Sequence, residues 1–297
     1  MRVFVTGASG FIGRAVVPEL LAAGHQVEGL VRSDEAAAAL TEQGATVRRG
    51  DLDDLAGIRA GAENADGVIH LANKHDWANP DISNRAERGA VETISQALAG
   101  SDRPFVFASG VALFGLDHPA TELDRSPAVG IDSPRGGAEN LALGFADQGV
   151  RVVSARFAPT VHGEGDQGFI SIVSKAARQR GASVYPGDGA NRWPAVHRLD
   201  TARLVRLGLE SAPAGSILHA VAEQGVPVRQ IAEALAARLD VPVKPVPAEQ
   251  LAQELAFIGA FLAADIPASS AATRELLGWE PTGPTLLEDI AAGHYDS

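Results

Sequence analysis

The sequence predicts an α/β protein: a doubly wound parallel sheet followed by a smaller C-terminal lobe suited to holding a substrate. Three observations carry that prediction. Short apolar or β-branched runs alternate with longer amphipathic stretches through the first half of the chain. Several runs, among them Val68-Ile69-His70-Leu71 and Phe105-Val106-Phe107-Ala108, lack the polar alternation of a half-exposed strand, as expected where helices cover both faces of a sheet. A glycine-rich turn, Gly7-Ala8-Ser9-Gly10-Phe11-Ile12-Gly13, joins the first run to the first amphipathic stretch.

Taken in order, Arg2–Thr6 reads as a strand, Phe11–Ala23 as a helix, His25–Val31 as a strand and Glu35–Gln43 as a helix. Ala45–Arg49, Gly67–Ala72 and Arg103–Ser109 are the next strands, separated by helices at Leu55–Gly61 and Ile82–Ala99. Helix is expected again over Arg135–Asp147 and Phe169–Arg180, with a strand at Arg151–Arg156 between them. Beyond Val205 the pattern is less regular, with a strand at Ile217–Ala220 and helices at Val228–Leu239, Gln250–Leu262, Ala272–Leu277 and Leu286–Ala292. Prolines at 227, 242, 245, 247, 267, 281 and 284 limit helix length there. The change of texture near residue 165 divides a nucleotide-binding unit, 1–165 rejoined by 195–221, from a mainly substrate-binding lobe, 166–297.

Composition narrows the function classes. A formal net charge of −12 repels phosphate backbones and anionic lipid, so a small-molecule substrate is expected rather than nucleic acid or a membrane. The chain has no cysteine, which excludes disulfides, thiolate catalysis and Cys-ligated zinc. No His-x-x-x-His or clustered carboxylate run suggests a metal site. Met1–Thr6 is too short an apolar stretch for a leader or a span, so a cytoplasmic protein is expected.

The glycine turn has the spacing and context of a dinucleotide site in a Rossmann-type sheet. Gly7 permits the tight turn, Gly10 lets the backbone approach a diphosphate and Gly13 lets helix and strand pack closely. Thr6, Ser9, Phe11 and Ile12 complete the loop, whose helix N-terminus presents free N–H groups to an anion. A carboxylate about 20 residues past the loop ordinarily binds the ribose hydroxyls of NAD. Here the second strand ends Val31-Arg32-Ser33. Arg32 suits a 2′-phosphate and Ser33 a further hydrogen bond to it, which favours NADP(H) over NAD(H); the alternative is that Arg32 stacks on adenine or is merely solvated. Asp34 is expected to cap the following helix. Asp51, followed by Leu52, either accepts a bond from the adenine amino group, caps the next helix, or does both.

These residues resemble an extended short-chain dehydrogenase/reductase of the NAD-dependent epimerase/dehydratase type. Thr6–Gly13, Gly50-Asp51-Leu52, Val68-Ile69-His70-Leu71-Ala72, the run Phe105–Gly110 leading to Phe114-Gly115, Arg156–Gly163 and Leu276–Pro281 carry the likeness in order. The resemblance implies a nicotinamide cofactor, with Leu71 and Ala72 bordering it, and dimers packed through two long helices, here Ile82–Ala99 and Arg135–Asp147.

The chain departs from that family where catalysis is expected. Relatives of this type carry a serine or threonine after the fifth strand and a Tyr-x-x-x-Lys pair on the next helix. Gly110 stands at the serine position, with Ser109 one residue earlier, and Arg135 and Glu139 stand at the pair. The only tyrosines are Tyr185 and Tyr295, and neither has a lysine four residues on. Arg135 and Glu139 either form an i, i+4 salt bridge on a helix, or Arg135 reaches over the nicotinamide as a fixed cation facing a developing alkoxide. The second case needs a separate proton source. His75, in His75-Asp76-Trp77 at the carboxyl edge of the sheet, is one candidate, its pKa raised if Asp76 faces it. His162 is another, and Ser109 is a substrate hydrogen-bond donor if the strand end is shifted by one. Tyr185, Trp193, Phe257, Phe261 and Leu262 are apolar candidates for a pocket or, equally, for packing. His197 is expected to support the fold just before Asp200 caps a helix. The readings that follow are an NADP-dependent reductase or dehydrogenase of a carbonyl, alcohol or imine compound, a dinucleotide-binding sensor without turnover, and an epimerase or dehydratase, the last weakened by the absent tyrosine.

Overall fold

A computed structural model describes residues 1–76, 79–112 and 116–296, and the side chains of these apart from 255–257. Trp77, Phe114, Gly115 and the Phe257 side chain, all invoked above, lie outside the described residues.

The first half of the chain folds as its alternation of strand and helix patterns predicts. The chain runs β1 (Arg2–Thr6), α1 (Gly13–Ala22), β2 (Gln26–Val31), α2 (Asp34–Glu42), β3 (Thr46–Arg49), α3 (Leu55–Glu63), β4 (Gly67–His70), α4 (Pro80–Leu98) and β5 (Pro104–Gly110). It continues through α5 (Ala138–Leu143), β6 (Arg151–Phe157), β7 (Thr160–His162), α6 (Phe169–Arg180), β8 (Ser183–Pro186), β9 (Arg192–His197), α7 (Arg198–Ser211) and β10 (Ser216–Ala220). The remainder is β11 (Glu223–Pro227), α8 (Val228–Leu239), β12 (Val243–Val246), α9 (Ala248–Leu262), α10 (Ala271–Leu277) and α11 (Leu286–Ala291). Among the described residues, seven strands form one parallel sheet in the order β10-β6-β5-β4-β1-β2-β3. The order reverses beside β1, so the carboxyl edge of β1 and β4 opens onto the crevice where such sheets bind ligands.

Pleating sends alternate residues of each strand to opposite layers. Val3, Val5, Ile69, Val106 and Val153 pack with α1 and α7 residues such as Val16, Leu20, Leu204 and Val205. Phe4, Val68, Phe105, Phe107 and Val152 pack with Ile58, Ile94 and Leu98 of α3 and α4. Both faces being apolar explains the missing polar alternation. Phe4 rests directly on Gly61, where an added Cβ would lie 2.5 Å from its ring. Truncating such a fully buried ring costs about 3–5 kcal/mol.

The second half holds two small sheets that the sequence pattern does not reveal: β11-β9-β7 and β12-β8. Their separate core contains Ile170, Trp193, Val226, Ile231, Leu235 and Phe261. No helix among the described residues is long and apolar enough to cross a membrane.

One expected helix is corrected. Arg135, Gly136 and Gly137 have φ of 55°, 61° and 60°, so a left-handed stretch replaces the first turn and α5 starts only at Ala138. Two adjacent glycines after a proline favour that turn. The long Arg135–Asp147 helix invoked for a dimer contact is therefore absent; α5 spans six residues and a separate short turn covers Ala146–Gln148.

Candidate functional site

The cradle at the end of β1 is built from close backbone approaches. Gly7 has φ +71° and sits so near β4 that a Cβ would fall 2.6 Å from Ala72 N. A Cβ on Gly13 would fall 2.1 Å from Gly7 O, and Gly10 N donates to Gly7 O at 3.0 Å. Helix α1 opens with Ile12 at its N-cap, no side-chain cap and no acidic residue in its first turn; Arg14 N and Ala15 N donate to Gly10 O and Ile12 O, which leaves Gly13 N and the positive end of the helix dipole to meet an anion. Thr6 holds the rim: its hydroxyl is 2.8 Å from His70 Nδ1 and accepts weakly from Ala72 N at 3.4 Å, while Leu71 N donates to Thr6 O at 3.1 Å. This cradle, which only glycines can form, fits the diphosphate of a dinucleotide. Burial and the Arg135 charge push the His70 pKa down to about 3, so the ring is neutral at physiological pH. Its Nε2 is buried with no hydrogen-bond partner among the described residues.

The adenosine end lies past β2 and β3. Arg32 is exposed, and no hydrogen bond or ion pair engages its guanidinium among the described residues. Ser33, not Asp34, caps α2: its hydroxyl accepts from Ala36 N at 3.2 Å. Asp34 occupies the first helical turn and pairs with Arg49 at the end of β3. Asp51 does not cap α3 either, since Asp54 does so through Gly57 N at 2.9 Å. Asp51 Oδ1 instead accepts from Asp53 N at 2.8 Å. Leu52 is buried, and Lys74 at the mouth of β4 pairs with Asp53 at 2.7 Å.

At the carboxyl edge of β4 and β5 the expected Arg135–Glu139 bridge does not form. With Arg135 outside the helix, its side chain turns to α4: Nε donates to Glu87 Oε1 at 2.9 Å and a terminal nitrogen bonds the same oxygen. That nitrogen also donates to Ala108 O on β5 at 2.8 Å. Glu87 is 1% exposed and accepts a further bond from Asn73, while Arg135 keeps 38% of its side-chain surface. Glu139 is held elsewhere, by fully buried Arg156 at 2.8 and 3.1 Å and by Ser154 at 2.5 Å. Gly110 leaves open space where a Cβ would project, and Ser109 beside it is half-buried.

His75 sits over this edge with φ +50° and its N–H on Asn73 Oδ1 at 2.8 Å. Two residues of the same edge, His75 and Arg135, thus occupy the left-handed region that non-glycine residues rarely adopt. The expected rise in the His75 pKa is reversed: local dehydration and then the Arg135 charge lower it. The ring keeps substantial exposed area, so dehydration acts on it only in part. Asp76 instead engages Asn79 and Ser83.

His162 lies in another place. It is fully buried on β7, with Nδ1 2.5 Å from Asp289 Oδ2 of α11. His197 caps α7, accepting from Leu199 N at 3.4 Å, and approaches the same carboxylate at 3.9 Å. Burial raises Asp289, but the hydrogen bond and charge of His162 overcome it, and the carboxyl titrates below its ordinary value. Asp200 does not cap α7; its carboxylate accepts from Thr282 N and Gly283 N, each at 2.9 Å, and its carbonyl from Trp279 Nε1 at 3.0 Å. These contacts fasten the C-terminal segment, and His162 is fully enclosed by the protein. The pocket candidates Tyr185, Trp193, Phe261 and Leu262 are likewise core residues, with Phe169 stacked on Phe261 at 4.7 Å. Among the described residues no cluster of three or more His, Asp or Glu could hold a metal ion.

Sequence reasoning missed Glu87 and His70. A signal for Glu87 existed: it falls three, four and seven residues before Ala90, Val91 and Ile94, on the apolar stripe of α4, where a carboxylate requires a partner.

A family model described as the NAD dependent epimerase/dehydratase family matches residues 3–220. An uncharacterised protein of Schizosaccharomyces pombe is 44% identical over 296 residues, covering 99% of this chain and 100% of its own. The 4-hydroxy-2-methyl-3-oxo-4-farnesyl-3,4-dihydroquinoline-1-oxide ketoreductase of Stigmatella aurantiaca is 28% identical over 227 residues, 73% of this chain and 67% of that protein. Among solved structures, MoeE5 in complex with UDP-glucose and NAD has a TM-score of 0.74 at 25% identity, covering 99% of this chain and 97% of that one.

Proposed function

The chain belongs to the NAD dependent epimerase/dehydratase family, and on that premise we propose that it is an NADP(H)-dependent reductase or dehydrogenase of a small to medium, apolar carbonyl, alcohol or imine compound. The observation that carries the reading is the half-exposed Arg135 guanidinium at the end of β5, beside the open space at Gly110. The dinucleotide supplies or accepts a hydride when bound. Arg135 stabilises the negative charge that develops on the substrate oxygen as a carbonyl is reduced, and being always protonated it gives up no proton. Glu87 and Ala108 O hold that cation in place. His75 exchanges the proton, from or to the alcohol oxygen, at the mouth of the site. Ser109 offers a further hydrogen bond to the substrate. The unengaged Arg32 and the lack of a carboxylate ending β2 support NADP(H). The name of the Stigmatella relative, a ketoreductase, supports carbonyl chemistry.

The test is NADPH oxidation by the purified protein against a panel of aldehydes, ketones and imines, with Arg135→Met and His75→Gln beside it. Turnover that falls at least a hundredfold in Arg135→Met supports the reading. Tight NADPH binding with no turnover on any substrate favours a second reading, a cofactor-responsive binding protein. The engagement of Arg135 by Glu87 and Ala108 O lends that reading its support.

A further inference from the structure

Helices α1 and α7 pack against each other, and three pairs fix their direction. Arg198 Cζ lies 5.6 Å from the centre of the Phe11 ring, Arg206 bonds Glu19 at 2.7 Å, and Glu210 meets His25 at 2.9 Å. Eight residues separate Phe11 from Glu19 and Arg198 from Arg206, so the helices run side by side in the same direction. Their N-termini therefore open at the same rim of the sheet. Arg198 is the first residue of α7, and it leans over the glycine turn that begins α1.

The chain makes room for that arginine and gives it no counterion. A Cβ on Gly163 (φ +139°) would fall 3.2 and 3.3 Å from its Cγ and Cδ, so the glycine lets the stem cross. Its Nε is buried without a hydrogen-bond partner, and no carboxylate pairs with the guanidinium among the described residues. A partly buried cation laid over an aromatic ring, without an anion, is costly to desolvate. A diphosphate at the α1 N-terminus would supply the missing negative charge.

We infer that Arg198 grips the cofactor diphosphate from beside the glycine turn, making the N-terminus of α7 a second wall of the dinucleotide site. This rests on the dinucleotide reading of the cradle above. The contact is to the part common to NADPH and NADH, so Arg198 contributes affinity and not the choice between them, which separates its role from that of Arg32.

Titration calorimetry on the whole protein tests this, with NADPH, NADH, ADP-ribose and adenosine 2′-phosphate as ligands. Arg198→Met keeps the stem on Phe11 and removes the charge. It should weaken the three diphosphate ligands at least tenfold each, reduce the salt dependence of their binding, and leave adenosine 2′-phosphate and the melting temperature unchanged. Arg198→Lys should recover part of the loss. Diphosphate binding within twofold of wild type in Arg198→Met would overturn the inference, as would an equal loss for adenosine 2′-phosphate. Failure of the wild-type protein to bind any dinucleotide would instead remove the cofactor reading itself, and the inference with it.

Discussion

Arg135 is bonded to Glu87, which lies 48 residues earlier in the chain, rather than to Glu139 four residues on. The pair joins a half-exposed cation to a buried anion, so structure and chemistry make different demands on it. Arg135→Met leaves Glu87 buried with Asn73 as its remaining partner and should cost about 1–3 kcal/mol of stability. The double variant Arg135→Met/Glu87→Met removes the stranded charge and should regain most of that loss. Its turnover should stay at the single-variant level. A double variant with both stability and turnover restored would show that Arg135 has no part in the chemistry.

Arg32 is expected to decide between the two dinucleotides. A charge-assisted contact to the 2′-phosphate is worth about 1.5–3 kcal/mol, so Arg32→Ala should raise the Kd of NADPH roughly 10- to 100-fold. The Kd of NADH should change less than twofold. Equal losses for both would remove the basis for NADP preference.

Two glycines with similar backbone angles separate strain from collision. Gly7 (φ +71°) abuts Ala72, whereas Gly24 (φ +81°) has nothing within 4 Å of its added Cβ. Gly24→Ala should cost on the order of 1 kcal/mol, for the left-handed backbone alone. Gly7→Ala bears the same penalty and must also push β4 away, so it should melt lower and bind NADPH poorly. Comparable melting temperatures for the two would mean that the β1–β4 rim is softer than its geometry indicates.

His70 should make stability fall in acid. Its pKa is about 3 in the folded protein and about 6.5 unfolded. Between those values the unfolded chain binds a proton that the folded one does not. Its stabilising contribution is therefore complete above about pH 6.5 and is lost as pH falls toward 3, at about 1.4 kcal/mol per pH unit. His197 and His219, whose pKa values are also lowered, add to the same trend. Urea titrations of His70→Asn should show a slope smaller than wild type by close to one proton. An unchanged slope would place the acid sensitivity elsewhere.

The lowered pKa of His75 sets a direction for turnover. As the base in alcohol oxidation the ring must be neutral, so the acid limb of kcat/KM should lie below the ordinary histidine value. In carbonyl reduction the same group must be protonated, and rates should rise as pH falls. His75→Gln should abolish both limbs; profiles identical to wild type would exclude the ring as the proton-exchanging group.

The central sheet was legible because periodicity and the glycine turn are local signals, and helices on both faces leave an uninterrupted apolar record. The small sheets were not legible: β7 and β8 are three and four residues long, and their pairing depends on distant partners rather than on any local pattern. The geometry of the glycine turn was readable for the same reason as the sheet. The Arg135 edge was not, because that arginine finds its partner on another helix and because the i, i+4 spacing of Arg135 and Glu139 suggests a helical turn where two glycines open a left-handed one. His162 was misplaced for a related reason. Its position after β6 is fixed by sequence, but its burial is decided by Asp289, 127 residues later.

The Glu139–Arg156 pair limits how this edge can be redesigned. Installing a Tyr-x-x-x-Lys dyad would take Arg135→Tyr and Glu139→Lys. The first orphans Glu87, and the second sets an ammonium group against the fully enclosed Arg156 and Ser154. Each replacement strands a buried partner, so installing the dyad should also require changes at Glu87 and Arg156. The enclosed partners, more than the half-exposed arginine itself, fix which side chains this edge of the sheet can accept.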